Sequence, residues 1–125
     1  MDWIMIFVLT HLSLIVGLVA LGIGFLAMLF PNFMAEGFGL KKDPSSTSYI
    51  VSLGARDVFI GLVVLALYFY DEWILMTVIT VGIAFVALVD FLVVFSKGDR
   101  SKSIPHVLGF FAATLYSIGL LLFMI

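Results

Sequence analysis

The sequence predicts an all-α fold, an integral membrane four-helix bundle whose helices follow one another in antiparallel, up-down order. Hydrophobic residues make up 64% of the 125-residue chain and charged residues 11%, whereas a typical soluble domain is about 45–50% apolar and about 25% charged. The apolar residues are also gathered into four stretches, each long enough for the roughly 20 residues that a hydrocarbon core requires. Short breaks carrying prolines or charges separate these stretches. The solvent of this chain is therefore expected to be a bilayer.

The four stretches predict helices that together form a single transmembrane domain, residues 1–125. The first ends at Pro31, and Ser46 or Thr47 is suited to cap the second. Ser103 is suited to cap the fourth, with Pro105 in its first turn, where no amide hydrogen bond is lost. The first stretch lacks a basic start and is too long for the core of a signal peptide, so we expect it to be retained. The predicted helices cover about residues 3–30, 48–70, 73–95 and 104–125.

Composition and motifs narrow the classes of function. The absence of cysteine excludes disulfides, thiolate metal sites and cysteine nucleophiles. The formal charge of −2 is too small to indicate a nucleic-acid partner. The sequence has no glycine-rich phosphate loop, no HExxH and no GxSxG, and its two histidines are expected in opposite halves of the membrane. We therefore expect no metal and no cofactor.

The distribution of basic residues predicts the orientation in the membrane. Lys41 and Lys42 follow the first predicted helix, whereas Lys97, Arg100 and Lys102 follow the third. The turn between the second and third helices has no lysine or arginine. The positive-inside rule then places loops 31–47 and 96–103 in the cytoplasm and both termini outside a cell membrane that the chain crosses several times.

The segment GARDVFIG places Arg56 and Asp57 side by side inside the second apolar stretch. A charge at the centre of a membrane costs about 2.5–3.5 kcal/mol on insertion scales, so such residues usually face protein and form pairs. At about 1.5 Å per residue, Arg56 and Asp57 lie about 4 Å from the middle of their helix. Asp90 lies roughly 9 Å from the middle of the third helix and His106 about 13 Å from the middle of the fourth. All four fall in the predicted cytoplasmic half.

Helical periodicity predicts which faces meet. Gly54, Asp57 and Gly61 share one face of the second helix, because residues three and four apart lie one above the other. Arg56 is rotated about 100° from Asp57, so its side chain is expected to reach a neighbouring helix. The first helix offers a run of small residues that allows close packing, namely Gly17, Ala20, Gly24 and Ala27.

These residues predict a polar site with distinct roles. Arg56 is expected to bind an anionic or carbonyl group or to hold Asp90, and Asp57 and Asp90 are the candidate acid–base pair. His106 is expected to gate the mouth of the site or to relay protons there, and Glu36 of the first loop to reach the same mouth. Two acids beside one arginine leave a surplus negative charge, which either a protonated His106 or an uncharged carboxyl would balance.

Three functions fit this pattern. The first is binding of a lipophilic small molecule, with its transformation by acid–base chemistry as an extension. The second is proton-coupled transport of a small solute, as carrier or channel, for which four helices would need a homodimer. The third is a structural or accessory subunit with a buried ion pair, although a purely structural pair does not need the surplus carboxyl. The expected partners are thus the lipid bilayer, a lipophilic ligand and, for transport, a second copy of the chain.

A resemblance covers nearly the whole chain. It rests on PNFMAEGFGL after the first helix, GARDVFIGLVVLAL in the second, the isolated Asp90 in the third and His106 at the start of the fourth. In their order and spacing these elements resemble a family of small four-helix membrane proteins described as domain of unknown function 4267, itself similar to the DoxX-like group. The resemblance implies the four-helix fold and implies that Arg56, Asp57, Asp90 and His106 belong together. It implies no particular activity.

Overall fold

A computed structural model describes residues 2–125, and the chain there is helical. Four helices, α1, α3, α4 and α5, are long and apolar enough to cross a membrane, and no strand occurs between residues 2 and 125. The predicted all-α class is therefore confirmed, with four helices that are candidate membrane spans. The α-helices are α1 (Asp2–Leu29), α2 (Pro31–Phe38), α3 (Pro44–Phe69), α4 (Trp73–Lys97) and α5 (Ile104–Phe123), with a 3-10 turn at Arg100–Ser103.

The short helix α2 lies where the sequence predicted only a loop. Pro31 both prevents α1 from continuing and occupies the first turn of α2, where its missing N–H has no helical partner to lose. Gly39 ends the helix with φ at 106°, a left-handed conformation that a residue with a Cβ rarely adopts. The N–H of Gly39 donates to the carbonyls of Ala35 and Glu36. Proline at the start and glycine at the end thus delimit an eight-residue helix.

Helix α3 begins earlier than predicted. Its first residue is Pro44 and its cap is Asp43, so the expectation that Ser46 or Thr47 caps this helix is wrong. The Asp43 carboxylate accepts hydrogen bonds from the Ser46 backbone N–H at 2.8 Å and from the Ser45 hydroxyl at 2.9 Å. An aspartate at this position satisfies an amide that the helix leaves unpaired, which explains why the helix starts there.

The start of α5 also differs from the prediction. Ser103 occupies the N-cap position, but its hydroxyl donates to the Arg100 carbonyl at 2.6 Å and makes no capping hydrogen bond. Pro105 does lie in the first turn, as predicted. Helix α4 continues to Lys97, beyond the predicted end at residue 95, and α5 ends at Phe123.

The Asp43 cap predicts a pH dependence at acidic pH. Its hydrogen bonds to Ser46 and Ser45 lower the pKa of the Asp43 carboxyl from the usual 3.8. A lowered pKa in the folded state means that the ionised cap stabilises the fold above the unfolded-state pKa and loses that contribution as the pH falls through the folded-state pKa. We expect wild type to lose stability relative to Asp43→Asn as the pH falls below about 3.8, because asparagine caps without titrating.

Thermal melts in detergent between pH 3 and pH 7 would measure this difference. Glu36 and Asp99, whose pKa values are also lowered, are present in both proteins, so their titration cancels in the comparison. A difference between wild type and Asp43→Asn that stays constant over the whole range would contradict the prediction.

The four long helices form two closely packed pairs. Helix α1 packs mainly on α3 and helix α4 mainly on α5, with far less contact between the pairs. In the first pair the backbones touch at glycines, as the run of small residues predicted. A Cβ placed on Gly24 would lie 2.6 Å from the Val58 nitrogen, and one on Gly61 would lie 2.8 Å from the Gly17 carbonyl oxygen. Close approach of this kind is how small residues stabilise helix pairs in membranes.

Side-chain hydrogen bonds support the packing both between the two pairs and within the second pair. The Tyr116 hydroxyl of α5 is hydrogen-bonded to the Ser13 hydroxyl of α1 and donates to the Leu9 carbonyl at 3.2 Å. Within the second pair, the hydroxyls of Thr80 and Ser117 lie 2.8 Å apart. Interhelical bonds of this type join helices that have no hydrophobic driving force between them in lipid. The outer faces carry large exposed apolar side chains, among them Leu18, Phe25, Phe59, Leu62, Val78, Phe85, Phe111 and Leu115.

Candidate functional site

Arg56 connects two aspartates from two helices. Its Nη1 and Nη2 donate to the two carboxylate oxygens of Asp90 on α4, each at 3.2 Å. Its Nε donates to Oδ1 of Asp57 at 3.0 Å, and Nη2 lies 3.0 Å from the same oxygen. The guanidinium therefore binds Asp90 with both ends of its fork, the geometry that a planar guanidinium favours with a carboxylate. Arg56 is the link between α3 and α4.

The two aspartates differ in whether a carboxylate oxygen remains free to accept a further hydrogen bond. Both oxygens of Asp90 are occupied by Arg56, and its side chain is 8% exposed. Asp57 uses only Oδ1, and its side chain is 23% exposed. Its Oδ2 accepts no hydrogen bond from any residue between 2 and 125, and no fully buried side-chain nitrogen or oxygen in that range lacks a partner. The free oxygen of Asp57 is therefore accessible from outside the protein interior.

Asp57 lines an otherwise apolar pocket. The pocket lies between α1, α2 and α3 and has a volume of about 190 Å³. Asp57 is the only charged residue in its lining within the described chain, and the other lining residues are hydrophobic or glycine. Helix α1 contributes Ile23 and Ala27, α3 contributes Ile50 and Leu53, and α2 contributes Phe33, Met34, Gly37 and Phe38. We call this space the Asp57 pocket.

The cluster contains two carboxyl groups and one guanidinium. Asp57 and Asp90 together carry two negative charges when ionised, against the single positive charge of Arg56. Within residues 2–125, Arg56 is the only basic residue in salt-bridge contact with either aspartate. With both carboxyls ionised the cluster would carry one surplus negative charge, and within residues 2–125 no second basic side chain is in salt-bridge contact to balance it.

The side chain of His106 contacts Phe38, a residue that lines the Asp57 pocket. Its Nε2 is hydrogen-bonded to the Phe38 carbonyl at 3.0 Å, and its ring lies against the Phe38 ring with the centroids 4.5 Å apart. None of its side-chain hydrogen bonds within the described range reaches Arg56 or either aspartate. His106 thus contacts a residue that lines the Asp57 pocket, and its expected role in gating the mouth of the site or relaying protons there stays a prediction.

Glu36 is also separate from the Asp57 pocket. Its carboxylate lies 2.8 Å from the Lys42 ammonium, and both side chains are more than half exposed. The hydrogen bond and the charge of Lys42 lower the pKa of the Glu36 carboxyl from its usual value. Glu36 lines a different cleft, between the two loops, and is absent from the lining of the Asp57 pocket. Glu36 pairs with Lys42 in the structure, and its expected approach to the mouth of the Arg56 site stays a prediction.

The apolar wall contributed by α2 was missed in the sequence analysis. The signal was present in PNFMAEGF, where proline opens a short segment, glycine follows its end and apolar residues recur at helical spacing. A helix there brings Met34 and Phe38 to one face, four residues apart. Both residues line the Asp57 pocket.

Comparison with protein families assigns the chain. The family described as Domain of unknown function (DUF4267) matches residues 17–124. The matched region includes α2, α3 and α4 together with Arg56, Asp57, Asp90 and His106. No curated protein and no solved structure is significantly similar to the chain. The extent of the match shows that this small helical protein with four candidate membrane spans belongs to the DUF4267 family.

Proposed function

We propose that the protein binds a lipophilic small molecule in the Asp57 pocket, through a group that is positively charged or donates a hydrogen bond. The observation that carries this proposal is the free Oδ2 of Asp57, in a residue that lines a pocket whose other surfaces are apolar. Ligand sites commonly combine a mostly apolar lining with a few polar groups that fix orientation. A carboxylate oxygen accepts hydrogen bonds only, so it selects for a donor.

The size of the pocket indicates the part of a ligand that fits. An engineered apolar cavity of about 150 Å³ holds benzene, and the Asp57 pocket has about 190 Å³. A ring or a short alkyl group therefore fills it, and a longer chain would have to extend into the bilayer. The ligand is thus a compact apolar group with one donor, or the end of a longer lipophilic molecule.

The surplus charge favours a cation. An ammonium group beside Asp57 would bring the net charge of Arg56, Asp57, Asp90 and the ligand to zero. A hydrogen bond between ionised groups is roughly twice as strong as one between neutral groups. Asp57 is then the candidate proton acceptor of the site. Asp90, with both oxygens held by Arg56, positions the arginine and takes no direct part in binding.

We also propose that the long helices run antiparallel and that the chain has a defined orientation in the membrane. Gly24 of α1 approaches Gly54 of α3 while Gly17 approaches Gly61, so the order of contacts is reversed along the two helices. Loops 31–47 and 96–103 meet where the Asp99 N–H donates to the Gly39 carbonyl at 2.8 Å. Both loops are lysine-bearing, which favours a cytoplasmic location for them and for the nearby pocket.

Three probes of similar shape test the proposal. Benzylamine, benzyl alcohol and toluene share a ring and differ in charge and in hydrogen-bond donation. We expect the purified protein to bind benzylamine more tightly than benzyl alcohol and toluene least. Asp57→Asn should weaken benzylamine binding about 10- to 100-fold, as expected for loss of a hydrogen bond between charged groups. Isothermal titration calorimetry in a non-ionic detergent measures these affinities, and empty micelles give the contribution of partitioning.

Two leucine substitutions separate the pocket from the general apolar surface. A Cβ at Gly37, in the pocket lining, and a Cβ at Gly22 of α1, outside it, would each meet nothing within 4 Å. Gly37→Leu should therefore fold and reduce binding of all three probes, whereas Gly22→Leu should leave binding unchanged. Equal affinity of wild type and Asp57→Asn for benzylamine would refute the proposed role of Asp57. If Gly37→Leu and Gly22→Leu bind the three probes equally well, the Asp57 pocket is not the binding site.

A further inference from the structure

A second cavity lies between the two lysine-bearing loops. It has a volume of about 410 Å³ and is bounded by the end of α2 and its following loop on one side and by the end of α4 and the 3-10 turn on the other. Three lysines line it, Lys41, Lys97 and Lys102, together with two acidic residues, Glu36 and Asp99. We call it the loop cleft. It is separate from the Asp57 pocket, and the two share no lining residue.

The acidic residues of the loop cleft are already engaged. The Glu36 carboxylate lies 2.8 Å from the Lys42 ammonium, which is not part of the cleft lining. Oδ1 of Asp99 accepts hydrogen bonds from the Ser101 backbone N–H at 3.0 Å and from the Ser101 hydroxyl at 2.7 Å. Within residues 2–125, neither carboxylate lies within salt-bridge distance of Lys41, Lys97 or Lys102. The hydrogen bonds from Lys42 and Ser101 and, to a smaller extent, the charge of Lys102 lower the pKa of both carboxyls.

The lysines of the cleft keep donors available. Within residues 2–125, the Nζ atoms of Lys41 and Lys97 have no hydrogen-bond or salt-bridge partner. Nζ of Lys102 donates to the Glu36 carbonyl at 2.7 Å, which leaves two of its three N–H groups free. Three lysines with available donors, from two segments that are distant in sequence, therefore line one cavity.

The frame that holds these lysines is closely packed. The Asp99 N–H donates to the Gly39 carbonyl at 2.8 Å, which joins the two loops backbone to backbone. Gly98 lies so close to the Gly39 carbonyl that a Cβ there would clash with it. A Cβ on Gly39 would lie 2.7 Å from Val94 and 3.0 Å from Lys102. Lys97 and Lys102 are thus positioned relative to Lys41 by contacts that leave little freedom between the loops.

The geometry points to a binding site for a phosphate-bearing anion in the loop cleft, contacted by Lys41, Lys97 and Lys102. Lysine is a point-charge binder of phosphate, and three lysines that line one cavity suit an anion with several acceptor oxygens. The cleft lies at the ends of membrane-spanning helices, where basic pockets bind the headgroups of anionic lipids. The phosphate can come from such a headgroup or from solution, and the experiment distinguishes these sources. The inference does not depend on the function proposed for the Asp57 pocket.

The test compares two lipids and two matched variants. The protein in a non-ionic detergent is titrated with phosphatidylglycerol or with phosphatidylcholine of the same chain length, and native mass spectrometry counts the bound lipid. Lys97→Gln removes a charge from the cleft, and Arg100→Gln removes the same charge three residues away, from a side chain that contacts Phe95 and does not line the cleft. At about 1 kcal/mol per basic residue, we expect Lys97→Gln to weaken phosphatidylglycerol binding about fivefold and Lys41→Gln combined with Lys97→Gln about 30-fold.

The outcomes separate a site from diffuse surface charge. Preference for phosphatidylglycerol that Lys97→Gln reduces and Arg100→Gln leaves within about twofold supports the site. In that case, displacement of the lipid by millimolar inorganic phosphate identifies a site that also takes phosphate from solution, and failure to displace it identifies the lipid as the source. Equal binding of the two lipids by wild type overturns the inference. An equal loss of phosphatidylglycerol affinity in Lys97→Gln and Arg100→Gln also overturns the inference.

Discussion

Arg56→Ala is expected to destabilise the protein by about 3 kcal/mol, well beyond the effect of Asp90→Asn. Removing one member of a buried ion pair costs about 3–5 kcal/mol, and the low end applies because the Arg56 side chain is 28% exposed. The alanine variant leaves Asp57 and Asp90 without their only basic partner in the described chain. Asp90→Asn keeps the shape of the side chain and one acceptor, and it leaves Arg56 and Asp57 as a neutral pair.

Urea or thermal unfolding of purified variants in one detergent measures this difference. Arg56→Lys should fall between wild type and alanine, because lysine keeps the charge and loses the fork that binds both oxygens of Asp90. Arg100→Ala, an exposed arginine of the 3-10 turn, serves as the control and should change stability by less than about 0.5 kcal/mol. Equal stability of Arg56→Ala and Asp90→Asn would contradict the view that one arginine compensates two carboxylates.

Gly54→Leu is expected to be strongly disruptive, costing more than about 3 kcal/mol. Overpacking a tight core typically costs about 1–3 kcal/mol when side chains can move. Here a Cβ on Gly54 would lie 2.7 Å from the Gly24 carbonyl oxygen, which is backbone and cannot rotate away. The variant can fold only if α1 and α3 move apart. That movement would also break the close contact between Gly61 of α3 and Gly17 of α1.

The matched control is Gly82→Leu in α4. Gly82 also lies in a membrane-spanning helix, but a Cβ there would meet nothing within 4 Å. We expect this variant to retain wild-type stability, and Gly54→Ala to fall between the two leucine variants. Unfolding measured by tryptophan fluorescence and by protease resistance in detergent would show the difference. A Gly54→Leu protein as stable as Gly82→Leu would mean that the α1–α3 contact is not limiting for stability.

Much of the fold could be predicted because a lipid environment restricts the backbone structures that a spanning segment can adopt. Every spanning segment must satisfy its own backbone hydrogen bonds, so a long apolar stretch implies a helix. The stretch that contains Arg56 illustrates this, since it is helical despite two adjacent charges. Helix ends were less predictable. Ser46 and Asp43 are both good caps by type, and the choice of Asp43 depends on Pro44, which fits the first turn of a helix.

The candidate site could be predicted only in part. The 100° rotation between neighbouring residues of a helix indicated that Arg56 would reach sideways, and in the structure its guanidinium meets Asp90 of α4. The hydrogen-bond partner of His106 could not be predicted, because it is the backbone carbonyl of Phe38 and every residue has such a carbonyl. The Asp57 pocket also escaped the sequence analysis, since its outer wall is α2, a helix inside a segment that was interpreted as a loop.

The grouping of the long helices into two pairs also bears on how the chain is made. The pairs α1–α3 and α4–α5 each consist of spans that are consecutive along the chain, on either side of the turn after Phe69. Each pair can pack as soon as its second span has left the ribosome, because it needs no partner that is still to be synthesised. The contacts that join distant parts of the chain, Arg56 with Asp90 and Tyr116 with Ser13, can form only after α4 and α5 exist. Synthesis from the N-terminus therefore allows the glycine contacts between α1 and α3 to form before the polar contacts of Arg56 with Asp90 and of Tyr116 with Ser13.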